Sequence, residues 1–340
     1  VVDCEHWACW PTGAVCLFYW GVSRYKKRLH CVFVQSLKNI VMQACNWTVR
    51  GLRALRVKPR ACLGRSAKPL HTSANLRSSD LVSVHDEDGA HHITLNNPKK
   101  RNVLSLAMLK RLDECFESAQ TNDALRCIVL SSTGPVFSSG HDLKELKIES
   151  GTAQQEEIFA LCTKVMSAIE KLPVPVIAQV DGLAAAAGCQ LVASCDIALA
   201  SDKATFSLPG ASFGLFCSTP GIPVARCVPQ KVSAYMLLTG RPISAREALV
   251  SGLVSRVVPS DALQEETEQV VEAIKSKSRA VMALGKRFYY RQMRLSIVQA
   301  YAEGEKVMVD NLRYRDSQEG IAAFAEKRKP VWEHTDRKIG

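Results

Sequence analysis

Two stretches of this sequence set small residues beside groups capable of polar chemistry. Phe137-Ser-Ser-Gly-His-Asp-Leu-Lys-Glu145 follows the apolar run Cys127–Ser131, and Asp181-Gly-Leu-Ala-Ala-Ala-Ala-Gly-Cys-Gln190 follows the run Val176–Val180. Each reads as a strand–turn–helix junction. Small residues let a ligand approach the backbone, and the first turn of a helix offers N–H groups without intrahelical partners at its positive end. Two such turns facing each other can share one developing oxyanion. Taken singly, each is equally an ordinary Gly-containing connection. His141, in the first turn, serves as acid or base if its imidazole points inward, and as a structural hydrogen-bonding group otherwise. Cys217 is a nucleophile only with a base or cation beside it; without one it is a small lining residue. No CxxC pair or Cys/His cluster offers metal-ligand spacing, so no metal is expected.

The elements that must position these turns follow from periodicity. Leu81–His85 and His91–Leu95 alternate as two strands about an Asp-Glu-Asp-Gly turn. Ser105 is placed to cap a helix whose apolar face is Leu109, Leu112, Phe116 and Ala119. Ile158, Leu161, Cys162, Val165, Ile169 and Leu172 form a second helical stripe, ended by Pro173 and Pro175. Asp196–Ala200 and Val254–Val258 read as further strands, and Ser244-Ala-Arg-Glu247 as a capping box whose helix stops at Gly252. Beyond Asp261 helix is the default. Strands alternating with helices, then a helical tail, predict one α/β domain with a C-terminal helical region.

Charge separates the chain into two parts. The formal net charge is +11, with 44 Lys and Arg against 33 Asp and Glu. Between His6 and Ser79 there is no acid and there are 13 basic residues. Taking those 13 from the 44, and Asp3 and Glu5 from the 33, leaves 31 of each from Asp80 onward. The body is neutral, which argues against a nucleic-acid partner. Lys286, Arg287, Arg291 and Arg294 are the one basic cluster there, and they read as a solvated helix face. The seven cysteines of the body are odd in number and scattered, as expected of thiols in a reducing compartment.

The basic segment reads as an address. From Met42 it is Arg-rich, Ser-containing and acid-free, and as a helix it would gather Arg50, Arg53, Arg56 and Arg60 on an arc of roughly 120°. Residues 42–79 are therefore expected to be a mitochondrial transit peptide, with a disordered basic tail as the alternative. Residues 1–41, with no Met before Met42, are expected to be an upstream or gene-model extension. The apolar run Ala14–Val22 is too short to span a bilayer.

Several ordered blocks now carry a resemblance. Phe137-Ser-Ser-Gly-His-Asp-Leu, Pro175-Val-Ile-Ala-Gln-Val-Asp-Gly, Gly188-Cys-Gln-Leu-Val-Ala-Ser-Cys-Asp-Ile197, Thr239-Gly-Arg-Pro-Ile-Ser-Ala-Arg-Glu-Ala248 and Glu319-Gly-Ile-Ala-Ala-Phe-Ala-Glu-Lys-Arg-Lys329 resemble the signature of the crotonase (enoyl-CoA hydratase/isomerase) family, over about residues 80–333. The resemblance implies a spiral of ββα units, with residues 80–260 as an acyl-CoA-binding core and 261–340 as a helical region used in assembly to a trimer or hexamer. It also implies CoA only as part of the ligand, and a place in mitochondrial fatty-acid metabolism, in the matrix. It assigns the oxyanion N–H groups to His141 and Ala187, beside Gly188. Contacts to CoA are implied at Lys99, Lys100, Arg101 and Lys144, and pocket closure at Phe324 and Lys327. Apolar positions such as Ile297, Val298, Tyr301, Val307 and Met308 would serve the assembly.

The chain departs from that pattern where hydratases place two glutamates. Gln190 stands at the first position and Gly210 at the second. An amide can hold a water but cannot take its proton near neutral pH, and glycine has no side chain at all. The open readings are a hydratase-like enzyme, an acyl-CoA-binding pseudoenzyme with a regulatory role, and a decarboxylase or thioesterase using His141 or Cys217. Restoring glutamate at both positions is expected to raise hydration if the pocket is otherwise competent.

Overall fold

The computed structural model describes residues 80–339, so the expectations for residues 1–41 and 42–79 lie outside the described residues. The described chain opens with the hairpin β1 (Val82–Glu87) and β2 (Ala90–Leu95). The strands extend further than their alternation indicates. The turn is only Asp88–Gly89, both at positive φ (45° and 82°), as a two-residue hairpin turn requires. Helix α1 (Leu106–Thr121) starts at Ser105, whose hydroxyl accepts the Met108 N–H.

From there the chain repeats one unit. Strand β3 (Cys127–Ser132) is followed by β4 (Val136–Ser138) and α2 (Thr152–Lys171). Strand β5 (Val176–Val180) is followed by β6 (Leu183–Ala185) and α3 (Ala187–Ser194). Strand β7 (Ile197–Ser201) is followed by β8 (Thr205–Ser207), α4 (Ser218–Cys227) and α5 (Gln230–Thr239). The first strand of each unit joins a six-stranded sheet of order β1-β2-β3-β5-β7-β10, and the second joins a four-stranded sheet of order β4-β6-β8-β9. Strand β9 is Ile243–Ser244 and β10 is Arg256–Val258, on either side of the box-capped α6 (Ala245–Ser251). This is the crotonase-like spiral of ββα units, an α/β fold whose remaining helices are C-terminal. The second sheet was not legible beforehand, because three-residue strands leave no period to read.

The larger sheet is covered on both faces, so Cys127–Leu130 of β3 is buried throughout. Ile128 and Leu130 join the main core with Leu109, Leu112 and Ile169. Cys127 and Val129 face the other way, against Leu263, Val271 and Ile274 of α7 (Leu263–Lys275). Of the seven body cysteines, Cys115, Cys127, Cys162, Cys189 and Cys217 are buried, and all seven are free thiols.

Three helices complete the C-terminal layer: α8 (Arg279–Gln292), α9 (Ile297–Leu312) and α10 (Arg315–Ala325). Here one expectation is corrected. Lys286 does not belong to a solvated face. Its ammonium is buried and donates to the Ile169 and Val174 carbonyls (2.8 and 2.9 Å) and to Asp196 Oδ2 (2.6 Å). Asp196 also accepts the Tyr290 hydroxyl and the Val176 N–H, both at 2.7 Å. Helical spacing gathers these cations on one arc, but only the docked α8 decides that Lys286 meets the largely enclosed carboxylate of Asp196. Arg291 pairs with Glu303 and Arg294 with Glu170. Ile297, Val298, Tyr301 and Met308 stand exposed, whereas Val307 packs on Ala280, Leu284 and Tyr314. Among the described residues no helix is long and apolar enough to cross a membrane, and no group of three or more His, Cys, Asp or Glu side chains could hold a metal ion.

Candidate active site

The two small-residue turns meet. Each follows a short strand of the smaller sheet, β4 or β6, and these strands pair in parallel, which brings their C-terminal ends side by side. Gly140 has φ +87°, and a Cβ built on it would lie 2.9 Å from Ala186 Cβ, 3.0 Å from the Ala185 oxygen and 3.1 Å from the Ala187 nitrogen. A Cβ on Gly188 would lie 2.5 Å from the Ser138 oxygen. Glycine at both positions is thus the condition for contact. Ala186 sits at φ 49°, ψ −118°, a conformation that costs a β-carbon-bearing residue about 1–3 kcal/mol.

One N–H in each turn is left free. The Gly140 carbonyl accepts from Leu104 N–H at 2.8 Å, and in a trans peptide the following N–H, that of His141, points the opposite way. The Ala186 carbonyl accepts from Gln190 N–H at 3.0 Å inside α3, so the Ala187 N–H projects out of the helix N-terminus. Neither N–H has a hydrogen-bond partner among the described residues. The first junction differs from expectation, since no α-helix follows it directly. A series of turns runs from Asp142 to α2, while the second junction does enter a helix.

The imidazole of His141 is held in one tautomer. Its Nδ1 lies 3.2 Å from the Leu104 carbonyl, which can only accept, so Nδ1 carries the proton and Nε2 a lone pair. Nε2 is buried and unpartnered, and the ring stands edge-on to Phe159 at 5.2 Å. Burial pulls the imidazole pKa below its ordinary 6.5, against the opposing pull of the Leu104 carbonyl and Glu145. Gln190 is 5 % exposed, and its Oε1 is likewise buried without a partner. The described residues hold three such orphaned side-chain atoms; these are two of them, and His91 Nε2 is the third. Orphaned buried acceptors are rare, and they concentrate where a ligand or water completes the set.

Gly210 lies in the tight turn Pro209–Phe213. Any Cβ there would fall 2.3 Å from the Leu215 oxygen and 2.7 Å from Cys217 Sγ. The sulfur accepts the Gly210 N–H at 3.2 Å. Burial raises the Cys217 thiol pKa despite that N–H, and no cation or imidazole partners the sulfur among the described residues. Cys217 is therefore a protonated thiol at neutral pH that fills the space beside Gly210. The expectation that glutamate could be restored at 210 fails on this geometry.

The remaining candidates are spread more widely. Lys99 and Lys100 are exposed in the turn Pro98–Lys100, Arg101 follows at φ 56°, and Lys144 is exposed beyond the first turn. Phe324 is 86 % exposed, and Lys327 lies at φ 55° past α10. No hydrogen bond, ion pair or ring contact ties either to the two turns. Sequence reasoning missed Asn102. It is fully buried at φ 49°, its Oδ1 accepts Asn97 N–H (2.7 Å), and its Nδ2 donates to the Thr133 and Val136 carbonyls (2.9 and 2.8 Å). Its place in a polar loop, and the tolerance of asparagine for left-handed backbone, were the available signal.

With this geometry in view, the family model for enoyl-CoA hydratase/isomerase matches residues 85–335. The chain belongs to that family. Human enoyl-CoA hydratase domain-containing protein 3, mitochondrial, is 58 % identical over 254 residues, 74 % of this chain and 84 % of its own length. Enoyl-CoA hydratase, mitochondrial, from Pongo abelii is 31 % identical over 238 residues, 70 % of this chain and 81 % of its own. The crystal structure of the human domain-containing protein 3 superposes with TM-score 0.74 at 56 % identity, covering 74 % of this chain and all of that one. An enoyl-CoA hydratase from Mycobacterium smegmatis gives 0.73 at 46 % identity, covering 75 % of this chain and all of that one. The chain shares the mitochondrial location that its relatives' names carry.

Proposed function

We propose that this family member binds an acyl-CoA thioester with the carbonyl oxygen between the His141 and Ala187 N–H groups. There it stabilises enolate character without the acid–base pair of a hydratase. One observation carries the reading: the Gly140 and Ala186–Ala187 turns are in contact, and each leaves one N–H without a partner. A single oxyanion donor is worth roughly 10²–10³ in rate. A positioned acid or base contributes about 10²–10⁴ more, and Gln190 and Gly210 cannot supply it. Crotonyl-CoA should bind and be hydrated very slowly. Lys99, Arg101 and Lys144 are assigned to the CoA arm. The setting is fatty-acid metabolism in the mitochondrial matrix, as a homotrimer or dimer of trimers assembled through the exposed apolar positions of α9, with Phe324 and Lys327 closing a pocket across subunits.

A second reading is favoured by the orphaned Nε2 of His141. A neutral imidazole in a fixed tautomer is a base, and Nε2 carries the lone pair that would take a proton from the attacking water of a thioester cleavage. Both readings are separated from a pure binding role by incubating the protein with a panel of acyl-CoAs and following binding by calorimetry and products by mass spectrometry. Binding without product supports a regulatory acyl-CoA binder. Product lost in His141→Ala with binding retained supports the imidazole. Absence of binding across the panel refutes the proposal.

A further inference from the structure

The free N–H of His141 depends on a side chain that is not in line to touch a ligand. Gly140 N–H, the donor immediately before it, points to Ser138 Oγ at 3.3 Å, and that hydroxyl donates to the Asn102 carbonyl at 2.8 Å. Ser138 is fully buried, as is Asn102. The Asn102 side chain ties the carbonyls of Thr133 and Val136, on either side of Gly134–Pro135, and so fixes the entry to β4. Ser139 N–H bonds the Arg101 carbonyl at 3.0 Å, and Leu104 N–H bonds the Gly140 carbonyl. The segment from Arg101 to Leu104 thus runs along the turn: it holds the Ser139 N–H and the Gly140 carbonyl directly, reaches the Gly140 N–H through Ser138 Oγ, and leaves the His141 N–H free.

We infer that Ser138, seated on the Asn102 carbonyl, is a positioning residue that aims the His141 N–H by taking the Gly140 N–H. The inference rests on the acyl-thioester reading above. Without the hydroxyl, Gly140 N–H has no partner. The Ser139–Gly140 peptide can then rotate to seek one, the Leu104 N–H is left to hold the Gly140 carbonyl alone, and the aim of the His141 N–H loosens. A preorganised donor is effective because it need not reorganise when charge develops, so the consequence falls on carbonyl polarisation more than on binding.

The test uses cinnamoyl-CoA, whose conjugated thioester absorbs at longer wavelength when its carbonyl oxygen accepts strong hydrogen bonds. The wild-type protein should bind it and shift its absorption to the red. Ser138→Ala should bind with a Kd within about threefold of wild type, because most contact area lies elsewhere, and should lose the larger part of the shift. Ser138→Cys, with a weaker hydrogen-bonding sulfur, should give an intermediate shift, and it carries the test if Ser138→Ala does not fold. A full shift in either folded variant overturns the inference and leaves the binding proposal intact. Loss of shift only in proportion to loss of bound ligand also overturns it, since that marks a structural role. No binding and no shift in the wild type overturns the acyl-thioester reading itself.

Discussion

Replacing Lys286 by Met should unseat the C-terminal layer at a cost that the structure sets. Lys286 is buried and Asp196 largely so, with side-chain exposures of 6 % and 13 %. All three ammonium donors are used, on Asp196 and on two carbonyls at the α2–β5 turn. Burial pulls the lysine pKa down and Asp196 pulls it up, which is the balance of a desolvated pair. Such a pair contributes little relative to an apolar replacement of both partners. Removing one partner leaves the other buried and costs about 3–5 kcal/mol. Asp196 keeps the Val176 N–H and the Tyr290 hydroxyl, which places the expected loss near 3 kcal/mol, a large part of a typical domain's roughly 5–15. Urea unfolding followed by far-ultraviolet circular dichroism measures it. The double variant Lys286→Met/Asp196→Asn should lie closer to wild type than the sum of the singles, by at least about 1 kcal/mol, because the residues share one network. A Lys286→Met loss below about 1 kcal/mol, or strict additivity in the double variant, would refute the desolvation argument.

Other perturbations follow from the site. Adding Gly210→Glu to Gln190→Glu should give no more crotonyl-CoA hydration than Gln190→Glu alone and a lower melting temperature, since even a Cβ meets the Leu215 oxygen at 2.3 Å; a rate gain from the pair refutes this. Because the folded pKa of His141 is depressed, the unfolded chain binds a proton before the folded one does. Stability should therefore fall as pH drops below the ordinary value of 6.5 and level off below the folded pKa. That fall should shrink in His141→Gln, and equal slopes for the two proteins over that window would rule the assignment out. Ala186→Gly should stabilise by about 1 kcal/mol, strain relief exceeding the entropy of glycine, as read by thermal melting.

Much of the architecture was legible because its signals are local. The Ser105 cap, the stripe from Ile158 to Leu172, the capping box at Ser244 and the strands of the larger sheet are all set by residues within a few positions of one another. The neutral body and the acid-free segment before Asp80 needed only counting. The two turns were visible as small-residue runs, and the amide at Gln190 and the bare backbone at Gly210 as residue types, since identity at a position is one-dimensional information.

What the tertiary structure decided were the meetings. Gly140 rests against Ala186 only because β4 and β6 pair in a sheet too short-stranded to show a period. The His141 N–H is turned away from the chain because Leu104, 36 residues before Gly140, takes the carbonyl behind it, and the imidazole tautomer is fixed by the same residue. Lys286 looked like its arginine neighbours until α8 set it on Asp196, 90 residues away. At Gly210 the 210–217 turn brings Cys217 and the Leu215 carbonyl into the volume a side chain would need, which the residue's identity alone does not show. Composition and spacing fix which groups a chain carries. Burial, direction and contact depend on long-range packing, which no local pattern encodes.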